Sequence, residues 1–371
     1  MNNSLIFSAP HETTFANISP IIDLINDSFD LYYLCQCNYY IENEKMCEKI
    51  INNYELDVIC LKNPFKFRNY YDPSFLHRLF IKIYVKTFLK KKLRSANSYI
   101  FCPGGLLEGT VAKLFNKNGK KTIMIEGGFP LDLLIFKKNK MYQNLFFKYF
   151  KNHPINKPLK YVNYLLVSGN YSKKIRVQKG FEENKILDFG VPRNIKLFSI
   201  KQNNAKKKFD IIFLTGSFYF HKDYKNYKKQ KLYIAKLIKF VQENNLKLML
   251  QIHPRDKEDY SFLTNSQNIT VVKNNLFENI KNSKVCLSFY STSIYESLVL
   301  NTLAYFIGEK ISGEWPEDKL ILKHDLLLEK INYSASQYDI ELNNNKLLAF
   351  NHINNDTQRC LDLLIKKIFE L

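Results

Sequence analysis

In Phe209-Asp210-Ile211-Ile212-Phe213-Leu214-Thr215-Gly216-Ser217 an apolar run closes abruptly on a small-residue turn. A segment of helical period, Leu232 to Asn244, follows it. A short buried strand, a tight turn and then an amphipathic helix make one βα unit of a parallel sheet. The rhythm continues downstream with strands expected at Leu246 to Ile252, Ile269 to Val272, Val285 to Phe289 and Thr302 to Ile307. It is also present upstream, at Ser4 to Ser8, Val58 to Leu61, Ser98 to Cys102, Thr122 to Ile125 and Tyr164 to Ser168, with a helix over Ile18 to Asn26.

Between the two series, residues 194–208 lose the apolar period and become rich in Asn and Lys, which reads as a linker. The expected organisation is therefore α/β, with a Rossmann-like domain over residues 1–193, a second over 209–350, and an amphipathic closing helix within 351–371. A chain of 371 residues is long for one core and suits two. With 46% hydrophobic and 15% aromatic residues, it has the apolar surface needed to offset ordering entropy. In open parallel sheets ligands bind outside the carboxyl ends of the strands, so chemistry is expected there, in a cleft between the domains.

The formal charge of +20 favours anionic partners: nucleotides, phosphorylated lipids, acidic membranes or nucleic acid. A background bias toward Lys, Asn and Ile accounts for the same charge without selecting a partner. Cys35, Cys37, Cys47, Cys60, Cys102, Cys286 and Cys360 show no CxxC spacing, so reduced, mostly buried thiols are expected. No basic, apolar and cleavage-site succession opens the chain and no long uncharged apolar run interrupts it, so the expected location is the cytoplasm, possible contact with the inner face of the membrane included.

Three short stretches carry candidate chemistry. Leu250-Gln251-Ile252-His253-Pro254-Arg255 ends a strand on a His, a turn-forming Pro and an Arg. His253 can donate to a phosphate or protonate a leaving group, and Arg255 can pair with an oxyanion in a bidentate way. A strand-end His beside a routine turn has the same sequence. Cys286 to Glu296 runs from strand to helix with Ser291, Thr292 and Ser293 at the junction, where hydroxyls and backbone N–H groups suit a phosphate, and Glu296 can accept from ribose hydroxyls. Ser and Thr are also ordinary helix caps. Thr122 to Ile125 ends on Glu126-Gly127-Gly128-Phe129-Pro130, placing a carboxylate able to act as a base beside backbone that a ligand can approach closely. A solvated Glu in a loop is the alternative.

Taken in order, Glu126-Gly127-Gly128, His253-Pro254 and Ser291-Thr292-Ser293 resemble the motifs of bacterial sialyltransferases and polysialyltransferases of GT-B fold, and of related capsule transferases for other nonulosonic acids or Kdo. The family usually has two acidic residues in the first motif, where this chain has one. The resemblance implies a glycosyltransferase that takes sialic, pseudaminic or legionaminic acid from a CMP-sugar to a surface glycan or lipid-linked glycan. It implies Glu126 as base, His253 at the CMP phosphate, and the Ser291 to Ser293 hydroxyls holding that phosphate. Such chemistry requires no metal, and no DxD motif is present.

Glycine loops supply further candidates. Cys102-Pro103-Gly104-Gly105, with Glu108-Gly109-Thr110, is expected on the acceptor side, and Thr215-Gly216-Ser217 on the donor side with Pro254; neither is a Walker or GxGxxG loop. His11, after the first strand, is an acceptor-side candidate. Arg78 to Arg94 is a basic segment with aromatic neighbours, suited to an anionic membrane surface or to a half-buried helix with a solvated Lys face; Phe136 to Lys160 is a second basic aromatic stretch. Alternatives to a CMP-nonulosonic acid donor are CMP-Kdo, a UDP-sugar or CDP-glycerol. A basic nucleic-acid-binding protein is the rival of another class, with no recognised binding motif to support it.

Overall fold

The structure is a computed structural model that describes residues 4–9, 12–36, 50, 52–54, 56–61, 75–102, 106–126, 158–178, 180–195, 197, 200, 207–219, 223–256, 258–260, 263, 266–289, 291, 293–307, 321–322, 328, 331, 359 and 362–366. His11, Gly104, Gly105, Gly127, Gly128 and Thr292 lie outside them, as does most of the Phe136 to Lys160 stretch. The chain divides into two compact units: Met1–Ile195 with Ile353–Leu371, and Lys196–His352.

Unit 1 is built on seven strands, β1 (Ser4–Ser8), β2 (Asp30–Gln36), β3 (Asp57–Leu61), β4 (Ser98–Phe101), β5 (Lys121–Ile125), β6 (Tyr164–Val167) and β7 (Ile186–Asp188), in the order β3-β2-β1-β4-β5-β6-β7. Every pairing is parallel, with Ser8 opposite Leu34 on one side and Phe101 on the other. Parallel sheets covered on both faces need apolar residues at every position, and β1 and β4 are buried throughout. Alternation then divides the side chains between two cores. Leu5, Phe7, Tyr33, Ile100 and Ile123 enter one; Ile6, Leu34, Tyr99, Phe101 and Met124 enter the other.

The helices of unit 1 are α1 (Glu12–Phe15), α2 (Ser19–Ile25), α3 (Phe75–Ser95), α4 (Leu106–Lys117) and α5 (Asn170–Gln178). The chain end joins this unit. Residues 362–366 are helical, and Leu364, at 1% exposure, packs in the core cluster with Leu5, Ile18 and Ile21.

Unit 2 repeats the scheme with β8 (Phe209–Leu214), β9 (Leu248–Gln251), β10 (Ile269–Val272), β11 (Ser283–Ser288), β12 (Leu303–Ile307) and β13 (Ile321–Leu322), ordered β10-β9-β8-β11-β12-β13 and again all parallel. Its helices are α6 (Tyr224–Glu243), α7 (Leu276–Lys281) and α8 (Ser293–Val299). Asp223 caps α6, its carboxylate accepting from Asn226 N at 3.2 Å. Asn245, Asn275 and Asn301 take positive φ at turns flanking helices and strands, the left-handed conformation that Asn tolerates better than most side chains.

Cys35, Cys102 and Cys286 are free and buried, while Cys60 is disulfide-bonded. The all-reduced expectation is corrected to that extent, because sequence spacing says nothing about which thiols meet in space. Among the described residues no helix is long and apolar enough to cross a membrane.

Candidate functional site

In both sheets the order reverses direction beside the first strand, and that switch point is where a doubly wound fold leaves a crevice at its carboxyl edge. In unit 2 the switch point lies between β8 and β11, where Leu214 is opposite Ser288 and Ser288 Oγ donates to Leu214 O at 3.2 Å. The Thr215-Gly216-Ser217 turn and the Phe289 to Ser293 junction therefore leave neighbouring strands at one edge.

The His253 turn is joined to the first of these. Thr215 N donates to Gln251 O at 3.0 Å, and His253 N donates to Thr215 Oγ1 at 2.9 Å. His253-Pro254-Arg255-Asp256 closes as a β-turn, with Asp256 N donating to His253 O at 2.8 Å. Arg255 N donates to His253 Nδ1 at 3.1 Å, so Nδ1 presents its lone pair and Nε2 carries the proton. An Nε2–H suits a phosphate oxygen. Giving that proton away from the neutral ring would leave an imidazolate, so the turn favours hydrogen-bond donation over the acid role.

A buried polar scaffold stands behind the two turns. Gly216 N donates to Oε1 of the fully buried Gln230 on α6 at 2.7 Å. Gln230 also adjoins the Tyr260 hydroxyl, which donates to Asp256 Oδ2 at 3.3 Å, and Asp256 Oδ1 accepts from Glu258 N at 3.1 Å. Burial, reinforced by the charge of Asp256, pushes the Tyr260 phenol far up, so it stays a donor. Gln230, Tyr260 and Asp256 thus couple the Gly216 loop to the His253 turn. They are dispersed in sequence and only the fold brings them together.

The same geometry refines what the named residues offer. The Gly216 amide is engaged by Gln230, leaving Gly216 valuable for space: a Cβ there would stand 2.7 Å from Cε2 of Phe218. Ser291 Oγ accepts from Ser293 N at 3.2 Å, a capping bond that leaves the Ser291 hydroxyl hydrogen available to donate. Ser293 is buried, and its carbonyl accepts from Ser297 Oγ at 2.7 Å. Glu296 is buried on α8, close enough to Cys286 that its charge adds to the burial that pushes that thiol up to about 12. Ser217, His253, Arg255 and Ser291 are partly exposed and Pro254 is exposed.

In unit 1 Glu126 follows β5 directly, its N–H donating to Leu166 O at 2.9 Å. It is 3% exposed and its Oε1 accepts from Arg176 Nε of α5. The carboxylate is therefore neither a solvated loop residue nor an isolated base.

Sequence reasoning named a second carboxyl only as part of an acceptor-side glycine loop. Glu108, in the first turn of α4, is 4% exposed and accepts from Ser8 Oγ at 3.1 Å. Ser8 ends β1 and its carbonyl accepts from Cys102 N just beyond β4 at 3.0 Å, which puts Glu108 at the switch point of sheet 1. Burial pushes its carboxyl up to about 7, with backbone and Ser8 hydrogen bonds opposing. The same burial lifts Cys102 and Tyr99, each further raised by the Glu108 charge. Its only sequence signal was an acidic residue just after a strand and a glycine pair. Among the described residues, no group of three or more His, Cys, Asp or Glu side chains is placed to hold a metal ion.

No family model and no curated protein sequence matches the chain. Solved structures do. A UDP-GlcNAc 2-epimerase from Methanocaldococcus jannaschii, in complex with UDP-GlcNAc and UDP, superposes with a TM-score of 0.61 at 14% identity, covering 99% of this chain and 100% of that one. The UDP-GlcNAc 2-epimerase from Neisseria meningitidis, bound to UDP-GlcNAc, gives 0.62 at 10% identity, with 99% and 100% covered. The wall teichoic acid polymerase TagF gives 0.57 at 14% identity, with 99% and 89% covered. At these identities the likeness shows the fold, and the fold is of GT-B type.

Proposed function

We propose that the chain is a nucleotide-sugar-dependent glycosyltransferase whose unit 2 holds the nucleotide phosphate. The observation that carries this reading is the junction of the Thr215 to Ser217 turn with the His253 turn beside the Ser291 cap, at the switch point of sheet 2. There, Nε2–H of His253 donates to a phosphate oxygen and stabilises its departure, with the Ser217 and Ser291 hydroxyls and the Arg255 guanidinium as further donors. Positioned donors supply that stabilisation without a metal.

The donor of the finer reading is a CMP-linked nonulosonic acid, as the order of the three motifs implies. The acceptor is a glycan or lipid-linked glycan bound by unit 1, where Glu126, paired with Arg176, is the base that the resemblance implies and Glu108 is a second buried carboxyl. Glu126 fits the expected base by its place after β5, and Glu108 by its neutral-range ionisation. A lipid-linked acceptor would bring the chain to an anionic membrane surface. A UDP-sugar donor is the second reading, favoured by the structural neighbours solved with UDP-GlcNAc.

Calorimetric titration with CMP, UMP, CDP and UDP tests the reading on the wild type, His253→Ala and His253→Asn. Asn retains an acceptor for Arg255 N but lacks the Nε2 donor. CMP preference with roughly tenfold or greater weakening in both variants supports the CMP donor. Preference for UDP moves the assignment to the second reading, and absence of binding by the wild type overturns both.

A further inference from the structure

The helix α3 is held in unit 1 by one face. Ile81, Val85, Leu89 and Leu93, at fourfold spacing, are all buried in a core cluster, and the stacked rings of Phe80 and Tyr84 pack against it. Its carboxyl end is fixed as well: Lys120 Nζ donates to Leu93 O at 3.2 Å and to Ala96 O.

The adjoining face, centred about 110° further round the helix, has a different composition. Leu79 and Ile83 are 43% and 49% exposed, and Lys82, Lys86 and Lys90 are exposed with them. Positions 79, 83, 86 and 90 follow the four, three, four spacing of a single helical stripe, within roughly 60° of arc at 100° per residue. No acidic residue occurs anywhere in α3. This face presents apolar side chains, flanked by long cationic ones, from a helix whose fold does not depend on covering them.

We propose that the outer stripe of α3 docks on an anionic lipid surface. Leu79 and Ile83 would enter the acyl boundary, and Lys82, Lys86 and Lys90 would lie at the headgroup level with their charges on phosphate. The exposed apolar pair at the amino-terminal end of the stripe favours lipid over nucleic acid, where recognition rests on cations and aromatic rings. Docking at α3 is independent of what unit 2 binds.

The test is co-sedimentation of the full chain with vesicles of phosphatidylcholine alone and of phosphatidylcholine with one third phosphatidylglycerol. Binding to the anionic vesicles is expected, weakening with added salt. The Lys82→Gln/Lys86→Gln/Lys90→Gln variant should bind about 100-fold less well, and Leu79→Ser/Ile83→Ser about tenfold or more, both with unchanged melting temperature because the side chains are exposed. Equal binding to neutral and anionic vesicles, or anionic binding undiminished in the lysine variant, overturns the proposal. So does failure to bind vesicles combined with oligonucleotide binding lost in the lysine variant, or with dimerisation lost in the Leu79 and Ile83 variant.

Discussion

Replacing Glu108 by Gln should change the pH dependence of unit 1 stability in a definite direction. Burial lifts this carboxyl from its ordinary 4.5 to about 7, a difference worth about 3 kcal/mol between its two ionisation states. Below the unfolded value the native state carries no penalty for the group. As pH rises from the unfolded value to the folded one, the native chain keeps a proton that the unfolded chain has already released, so stability falls, and the loss is complete above the folded value. Gln preserves the shape and can still accept from Ser8 Oγ, yet it never ionises. Glu108→Gln should therefore be nearly neutral at pH 5 and more stable than wild type by about 2–3 kcal/mol at pH 8. Because the chain has two units, a single unfolding curve mixes their transitions. Hydrogen exchange of β1 and β4 amides reads unit 1 directly, and comparing both proteins at each pH cancels the intrinsic exchange rate. The variant's exchange should become slower than wild type by roughly 50-fold across that interval. A ratio that stays flat from pH 5 to pH 8 would refute the buried, neutral-range carboxyl.

Two further outcomes follow from packing. Gly216→Ala should lower unit 2 stability by about 1–3 kcal/mol by hydrogen exchange of β8 and β9 amides, because its Cβ would overlap the Phe218 ring, and adding Phe218→Leu should recover most of the loss. Glu126→Ala should cost about 3–5 kcal/mol in unit 1 exchange protection, since it leaves Arg176 without its carboxylate in a largely buried setting. Glu126→Ala combined with Arg176→Met should regain much of that; a double variant as unstable as Glu126→Ala alone would mean the pair is not what the carboxylate supports.

The strands that were readable in sequence are those with an abrupt end. β1, β8 and β10 have the expected bounds because Pro10, Gly216 and polar flanks close their apolar runs. β2 was not foreseen: Asp30 to Gln36 mixes Tyr, Cys and polar ends into a region without a clear stop, and its place is set by pairing with β1 and β3. β7 and β13 have too few residues to show a period. α6 begins at Tyr224, well before the expected Leu232, because its buried positions start only at Gln230 and the Asp223 cap carries the earlier, solvated turns. The basic segment Arg78 to Arg94 is a half-buried helix as one of its two readings held, extended to Phe75–Ser95. The His253 turn was legible because a His-Pro pair ends a strand. Its supports were not, since Gln230 and Tyr260 reach it only through the fold, as Arg176 reaches Glu126.

Leu364 belongs to the core of the first unit although it follows the whole of the second along the chain. During synthesis, unit 2 is complete while the core around Leu5 and Ile18 still lacks a side chain. At about 5–20 residues per second, the interval between Ile195 and Leu364 is on the order of ten seconds or more. A newborn chain thus completes its second unit before the segment that fills the core of the first has emerged.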